Sequence, residues 1–136
     1  MTNFPEQIAS KIFFLRAQKV MFDSDLAELY EVETKVLNQA VKRNLERFPE
    51  DFAFVPTISE LRILRSQFVT LDCVSRRNYV FRHPPFVFTE YGIAMLSGML
   101  NSPRAIEVNI AIMRISMKLR SFLMLDKNSN KNTNTN

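Results

Sequence analysis

Asp25-Leu26-Ala27-Glu28-Leu29-Tyr30-Glu31-Val32-Glu33-Thr34-Lys35-Val36-Leu37-Asn38-Gln39-Ala40-Val41-Lys42-Arg43-Asn44 is spaced as two short helices crossing at a tight turn. Asp23, Ser24 and Asp25 precede the first apolar positions as N-cap residues and place negative charge at the positive end of the helix dipole. Ala27 is small where the helices touch, and Val32 is expected as an apolar plug in the turn. Thr34 is expected to cap the second helix, in which Val36, Leu37, Ala40, Val41 and Asn44 fall within roughly 140° of a 3.6-residue wheel. The turn position that favours glycine is Glu31, which requires a side chain to tolerate a left-handed backbone or the turn to differ.

The opposite side of that second helix, expected over about 34–46, carries Lys35, Asn38, Gln39, Lys42, Arg43 and Glu46. Asn and Gln match the donor and acceptor pattern of adenine in the major groove, Arg that of guanine, and Lys reaches guanine or phosphate. Any surface helix is polar outside; amides flanked by cations on the second of two such helices point further, to a duplex groove.

Upstream, Ile12 to Phe14 and Val20 to Phe22 bracket a polar turn and predict a β-hairpin. Downstream, Phe52 to Val55 reads as a strand stopped by Pro56, and Ser59 as the cap of a helix from Glu60 to Phe68. Arg62 and Arg65 sit three apart on that helix, a spacing that can track a phosphate. Val69 to Leu71, Tyr79 to Phe81 and Phe86 to Phe88 predict further strands, with Arg76-Arg77 at a hairpin tip as a wing-like second contact to phosphates or a neighbouring groove. Thr89 caps a helix to about Leu100. Ser102-Pro103, an N-cap followed by proline at the first helical position, starts the longest helix, expected to reach about Leu125.

That helix has two apolar sides. Ile106, Ile110, Met113, Met117 and Met124 form one; Val108, Ala111, Ile112, Ile115, Leu119, Phe122 and Leu123 form the other, with Asn109, Ser116 and Arg120 on a polar flank. One side packs on the domain's own core and the second calls for a partner, so a homodimer through helix 103–125 is expected. A twofold pair would present two reading helices to adjacent half-sites.

The chain of 136 residues, 46 % hydrophobic with 12 Phe, has apolar surface for one core. Its net charge is +4. The stretch from Lys35 to Arg82 holds nine basic and five acidic residues, which is the whole excess. Cys73 and His83 are single, so neither an intramolecular disulfide, a zinc site nor a histidine-based triad assembles within one chain. Gly92 and Gly98 are the only glycines, and no phosphate-cradling loop is formed. No enzyme, cofactor or metal is expected. The apolar runs fall short of the ~20 residues that span a bilayer and no leader pattern opens the sequence, so a cytoplasmic protein without a membrane segment is expected.

With these blocks assembled, the sequence resembles the phage "ORF six N-terminal" domain family, related to the KilA-N and Bro-N DNA-binding domains of phages and large DNA viruses. The resemblance runs from about Ile12 to Arg120. Val20 to Tyr30, Leu37 to Asn44, Arg47 to Phe52, Leu64 to Gln67, Phe88 to Glu90 and Asn101 to Arg114 carry it. It departs at Ala17 and Glu31, where the family tends to have glycine, and in the loop Asp72 to Asn78. The resemblance implies an α+β, winged-helix-like fold with a helix-turn-helix core and a long C-terminal helix. A DNA-binding domain over 8–125 is expected, and after Asp126 the residues are Asn, Ser, Thr and Lys only, with nothing apolar to bury, so a disordered polar tail at 126–136 is expected. The function implied is DNA binding by a phage or prophage-derived transcription regulator; with the residues read above, sequence-specific double-stranded DNA binding is expected, with Lys35, Asn38, Gln39, Lys42, Arg43, Arg76 and Arg77 as contacts. The competing class is an antirepressor-type module that binds another phage or host regulator protein.

Overall fold

A computed structural model describes residues 4–67 and 85–134, by backbone alone from 120 onward. The strands expected around Val69 to Leu71 and Tyr79 to Phe81 lie outside the described residues. The order is α1 (Phe4–Ala9), β1 (Phe13–Leu15), β2 (Gln18–Phe22), α2 (Asp23–Tyr30), α3 (Thr34–Arg43), a 3-10 turn (Leu45–Arg47), β3 (Ala53–Phe54), α4 (Ile58–Ser66), β4 (Val87–Thr89), α5 (Glu90–Leu100) and α6 (Pro103–Asn134). The protein is α+β.

Among the described residues, four strands form an antiparallel sheet in the order β1-β2-β4-β3. Val20 pairs with Thr89 and Phe22 with Val87, while Phe54 meets Val87 from the other side. Strand side chains alternate between the two faces, so this sheet holds two cores. On one face Phe13, Leu15, Val20, Phe22, Phe54 and Val87 pack with Leu61 and Leu64 of α4. On the other, Met21, Ala53 and Phe88 pack with α1, α2, α3, α5 and α6 through Ile8, Leu26, Leu37, Ile93 and Val108 among others.

Two turns use left-handed backbone without glycine. At the β1–β2 tip Arg16 (φ 54) and Ala17 (φ 59) take the paired positive φ that a two-residue hairpin turn needs to match strand twist. At the end of α2, Glu31 has φ 62 and ψ 42, of the two options left open above the left-handed one. Its N–H donates to Glu28 O at 3.1 Å and that of Val32 to Ala27 O at 3.0 Å, closing a Schellman cap. Arg104 Nε adds a bond to Leu29 O at 2.9 Å. Val32 is more open than a plug, 38 % exposed.

Local signals are corrected at several helix ends. Thr34 is the first helical residue of α3 and Glu33 holds the cap position without a side-chain bond. The cap of α4 is Thr57, not Ser59: its hydroxyl accepts from Glu60 N and the Glu60 carboxylate accepts from Thr57 N, a full capping box. Thr57-x-x-Glu60 is the better match because it satisfies two orphan donors at once. α3 ends at Arg43, three residues earlier than expected, where Asn44 leaves helical geometry and its Nδ2 bonds Ala40 O at 2.9 Å. α6 begins as expected, with Ser102 Oγ accepting from Ala105 N at 3.1 Å. Its backbone continues past Leu125 to Asn134, each added residue of an established helix needing no new nucleation.

In α6 the side bearing Val108 and Ile112 is buried, and Ala111, Ile115 and Leu119 pack partly against the same core. Asn109 and Ser116, read from the sequence as a polar flank, are buried too. Tyr30 OH donates to Asn109 Oδ1 at 2.6 Å, and Asn109 Nδ2 to Ile93 O at 3.3 Å. The Ser116 hydroxyl donates to the Glu90 carboxylate. Lys19, on β2, reaches Ser116 O at 2.5 Å and lies 3.5 Å from Glu90 Oε2. Each buried polar atom named here has its partner, which offsets the desolvation its burial costs.

The hairpin tip is held to α4 by Arg16. Its Nε and Nη2 grip Glu60 at 2.5 and 2.9 Å, and its guanidinium carbon lies 3.7 Å from the centre of the Phe54 ring. Arg16 and the Thr57 cap hold the Glu60 carboxyl at about 2, well below its ordinary 4.5. A depressed carboxylate contributes stability above the unfolded value and loses it as pH falls. Wild type is therefore expected to exceed Glu60→Gln by about 1 kcal/mol at pH 7, after solvent screening. Urea unfolding at stepped pH is expected to show that margin closing between about 4.5 and 2. A margin that stays constant across this window rules the linkage out.

Candidate nucleic-acid interface

α3 is joined to α2 by the three residues Glu31 to Glu33 and turns Leu37 and Val41, both 0 % exposed, onto the core. Lys35, Gln39, Lys42 and Arg43 are all exposed. At 100° per residue they span about 100° of the helix surface, one row along its outer side. Glu33 and Glu46 bracket the row, both exposed, and Arg47 follows on the 3-10 turn. Lys42 and Arg43 lie in the last turn of α3, where cations also complement the helix dipole.

Asn38 is set apart from these four. It lies about 60° from Val41 on the wheel, at the edge of the core stripe rather than opposite it. Its side chain is half-buried: Nδ2 donates to Asp23 Oδ2 at 3.0 Å, and Oδ1 is buried without a hydrogen-bond partner among the described residues. Asp23 in turn accepts from Phe86 N at 3.2 Å and from Ser24 N at 2.7 Å, while its own N–H donates to Phe86 O at 2.9 Å. Asn38 thus fixes α3 against the start of α2 and the lead into β4. Its amide faces the protein, and it positions the outer row instead of extending it. Val36, expected among the core positions, is 51 % exposed.

The remaining cations divide by face. α4 packs on the sheet face opposite α3, so Arg62 and Arg65, both exposed, lie across the sheet from the α3 row. Arg76 and Arg77 lie outside the described residues. Asp23, Asn38 and Arg16 are the positioning groups that sequence reading missed. In the sequence Asp23 reads as a cap and Asn38 as an outer residue; the wheel angle is the signal for Asn38, and Arg16 has none.

Among the described residues there is no group of three or more His, Cys, Asp or Glu able to hold a metal ion, and no helix long and apolar enough to cross a membrane. The arrangement is that of an α+β domain presenting a short basic helix at the end of a tight α-turn-α unit. The sequence model of the ORF6N domain matches residues 10–99, and the chain belongs to that family of phage-type regulatory domains. No curated protein and no solved structure matches it.

Proposed function

We propose that this chain binds double-stranded DNA sequence-specifically, as a phage or prophage-derived transcription regulator, with α3 in the major groove. The observation that carries the reading is the exposed row Lys35, Gln39, Lys42 and Arg43 on the second helix of a tightly turned pair. Such a helix offers side chains of the types that read base edges, flanked by cations for phosphates. Asn38 positions that row rather than reading bases, and Arg76-Arg77 is kept on sequence grounds as a wing-like second contact to phosphates or a neighbouring groove. The role is binding, with no catalytic step.

Titration of a labelled duplex at increasing salt tests it. If Lys35, Lys42 and Arg43 each neutralise a phosphate, the log-log slope is expected near −3 per protomer. A nearly flat response would move the function to the antirepressor-type alternative, a contact with another regulator protein.

The working form in this reading is a homodimer through α6. Its support is the exposed part of the second apolar side, Ile106 at 42 % and Ile110 at 47 %, while Met113 of that side packs partly on the core. Ile106→Asp combined with Ile110→Asp is expected to give folded monomers in sedimentation, and persistent dimers would place the interface elsewhere.

A further inference from the structure

Val36 is an apolar, β-branched side chain on the outer surface of a short helix, where helix propensity favours alanine or lysine. Its rotamers are restricted by the preceding turn. It is 51 % exposed, while the next residue, Leu37, is fully buried. Val32, four residues earlier and 38 % exposed, adds a second apolar group at the same end of α3.

The neighbours of Val36 are those of the proposed reading row. Lys35 precedes it and Gln39 follows three residues on, about 60° round the helix and about 4.5 Å along its axis. That rise is little more than one 3.4 Å base step, so Val36 and Gln39 reach the same or adjacent base pairs. Val36 lies in the first turn of the helix and Gln39 near its middle, and the N-terminal part is the part that meets base edges when such a helix enters the major groove. In that groove the one apolar feature of the base edges is the thymine 5-methyl group, and adenine is the base that pairs with a glutamine amide through N6 and N7.

Resting on the DNA-binding reading above, we propose that Val36 is a specificity-determining residue. It packs on a thymine methyl while Gln39 bonds an adenine in the same or the adjacent pair, so the α3 site reads an A·T step. Lys35 and Lys42, on the same row, supply the charge complement that holds a duplex against this otherwise apolar contact.

The test begins with selection of duplexes from a random pool by the wild-type chain. Each thymine of the selected site is then replaced singly by deoxyuridine, which removes the methyl and nothing else. Wild type is expected to lose about three- to five-fold in affinity at one position, the worth of one buried methyl. Val36→Ala is expected to show no loss at that position, and Val36→Thr, which keeps one methyl, to fall between. The melting temperature of Val36→Ala should equal or slightly exceed that of wild type, separating a reading role from a structural one. A site at which no deoxyuridine costs wild type more than two-fold, or costs Val36→Ala as much as wild type, overturns the Val36 assignment and leaves the DNA-binding reading standing. Failure to select any duplex overturns both.

Discussion

Gly92→Ala is expected to lower folding stability by about 3–4 kcal/mol and the melting temperature by about 10–15 °C. The first turn of α5 lies directly on the backbone of the 51–52 turn. Thr89 N–H donates to Phe52 O at 3.0 Å, and the Thr89 hydroxyl donates to Asp51 O at 2.7 Å. A Cβ on Gly92 would stand 2.1 Å from Phe52 O and 3.3 Å from the Phe88 ring. No rotamer relieves a contact between Cβ and backbone oxygen, so either α5 lifts from the sheet or β3 moves with Phe52. Both disturb the core face on which α3 rests. Gly98, in the same helix, has open space where its Cβ would go. Gly98→Ala is therefore expected to stabilise by about 0.5–1 kcal/mol, through helix propensity and a less free unfolded chain. Thermal and urea unfolding of the two variants give opposite signs if α5 docks as described. A Gly92→Ala variant within 1 kcal/mol of wild type would show that it does not.

Lys42→Ala with Arg43→Ala is expected to weaken duplex binding by about fifty-fold near 0.1 M salt and to reduce the salt slope by about 2. Both side chains are exposed, so the fold should lose no more than about 1 kcal/mol, the part they contribute at the C-terminal end of the helix dipole. Arg62→Ala removes an exposed cation from the opposite face of the sheet, and it is expected to change affinity less than two-fold. Equal losses from the α3 pair and from Arg62 would mean that charge alone, without a defined face, governs binding. Unchanged binding by the α3 double variant would remove α3 from the interface altogether.

Elements with local chemistry were legible from the sequence. The β1–β2 hairpin, the short strand before Pro56, the Thr89 cap and the Ser102-Pro103 helix start each depend on residues a few positions apart. What sequence did not disclose depends on partners far along the chain. Asn109 and Ser116 look like surface residues until Tyr30, Ile93, Lys19 and Glu90 are brought to them. Arg16 meets Glu60 only because α4 folds back across β1. On the outer row of α3 the exposed cations and Gln39 followed from helical period. Asn38 lay at the boundary between stripes, where period cannot say which way a side chain turns, and Asp23 decided it.

The position of β4 has a consequence for how the chain comes into being. Val87–Thr89 is a central strand, with the N-terminal hairpin on one flank and β3 on the other. A polypeptide still on the ribosome and ending before Thr89 carries β2 and β3 with open hydrogen-bonding edges and phenylalanine-rich faces, the kind of surface that chaperones hold and proteases clear. Closure of the sheet therefore waits on β4, the strand against which both flanks pair. A nonsense codon anywhere upstream of β4 leaves a product without the strand that joins its two halves.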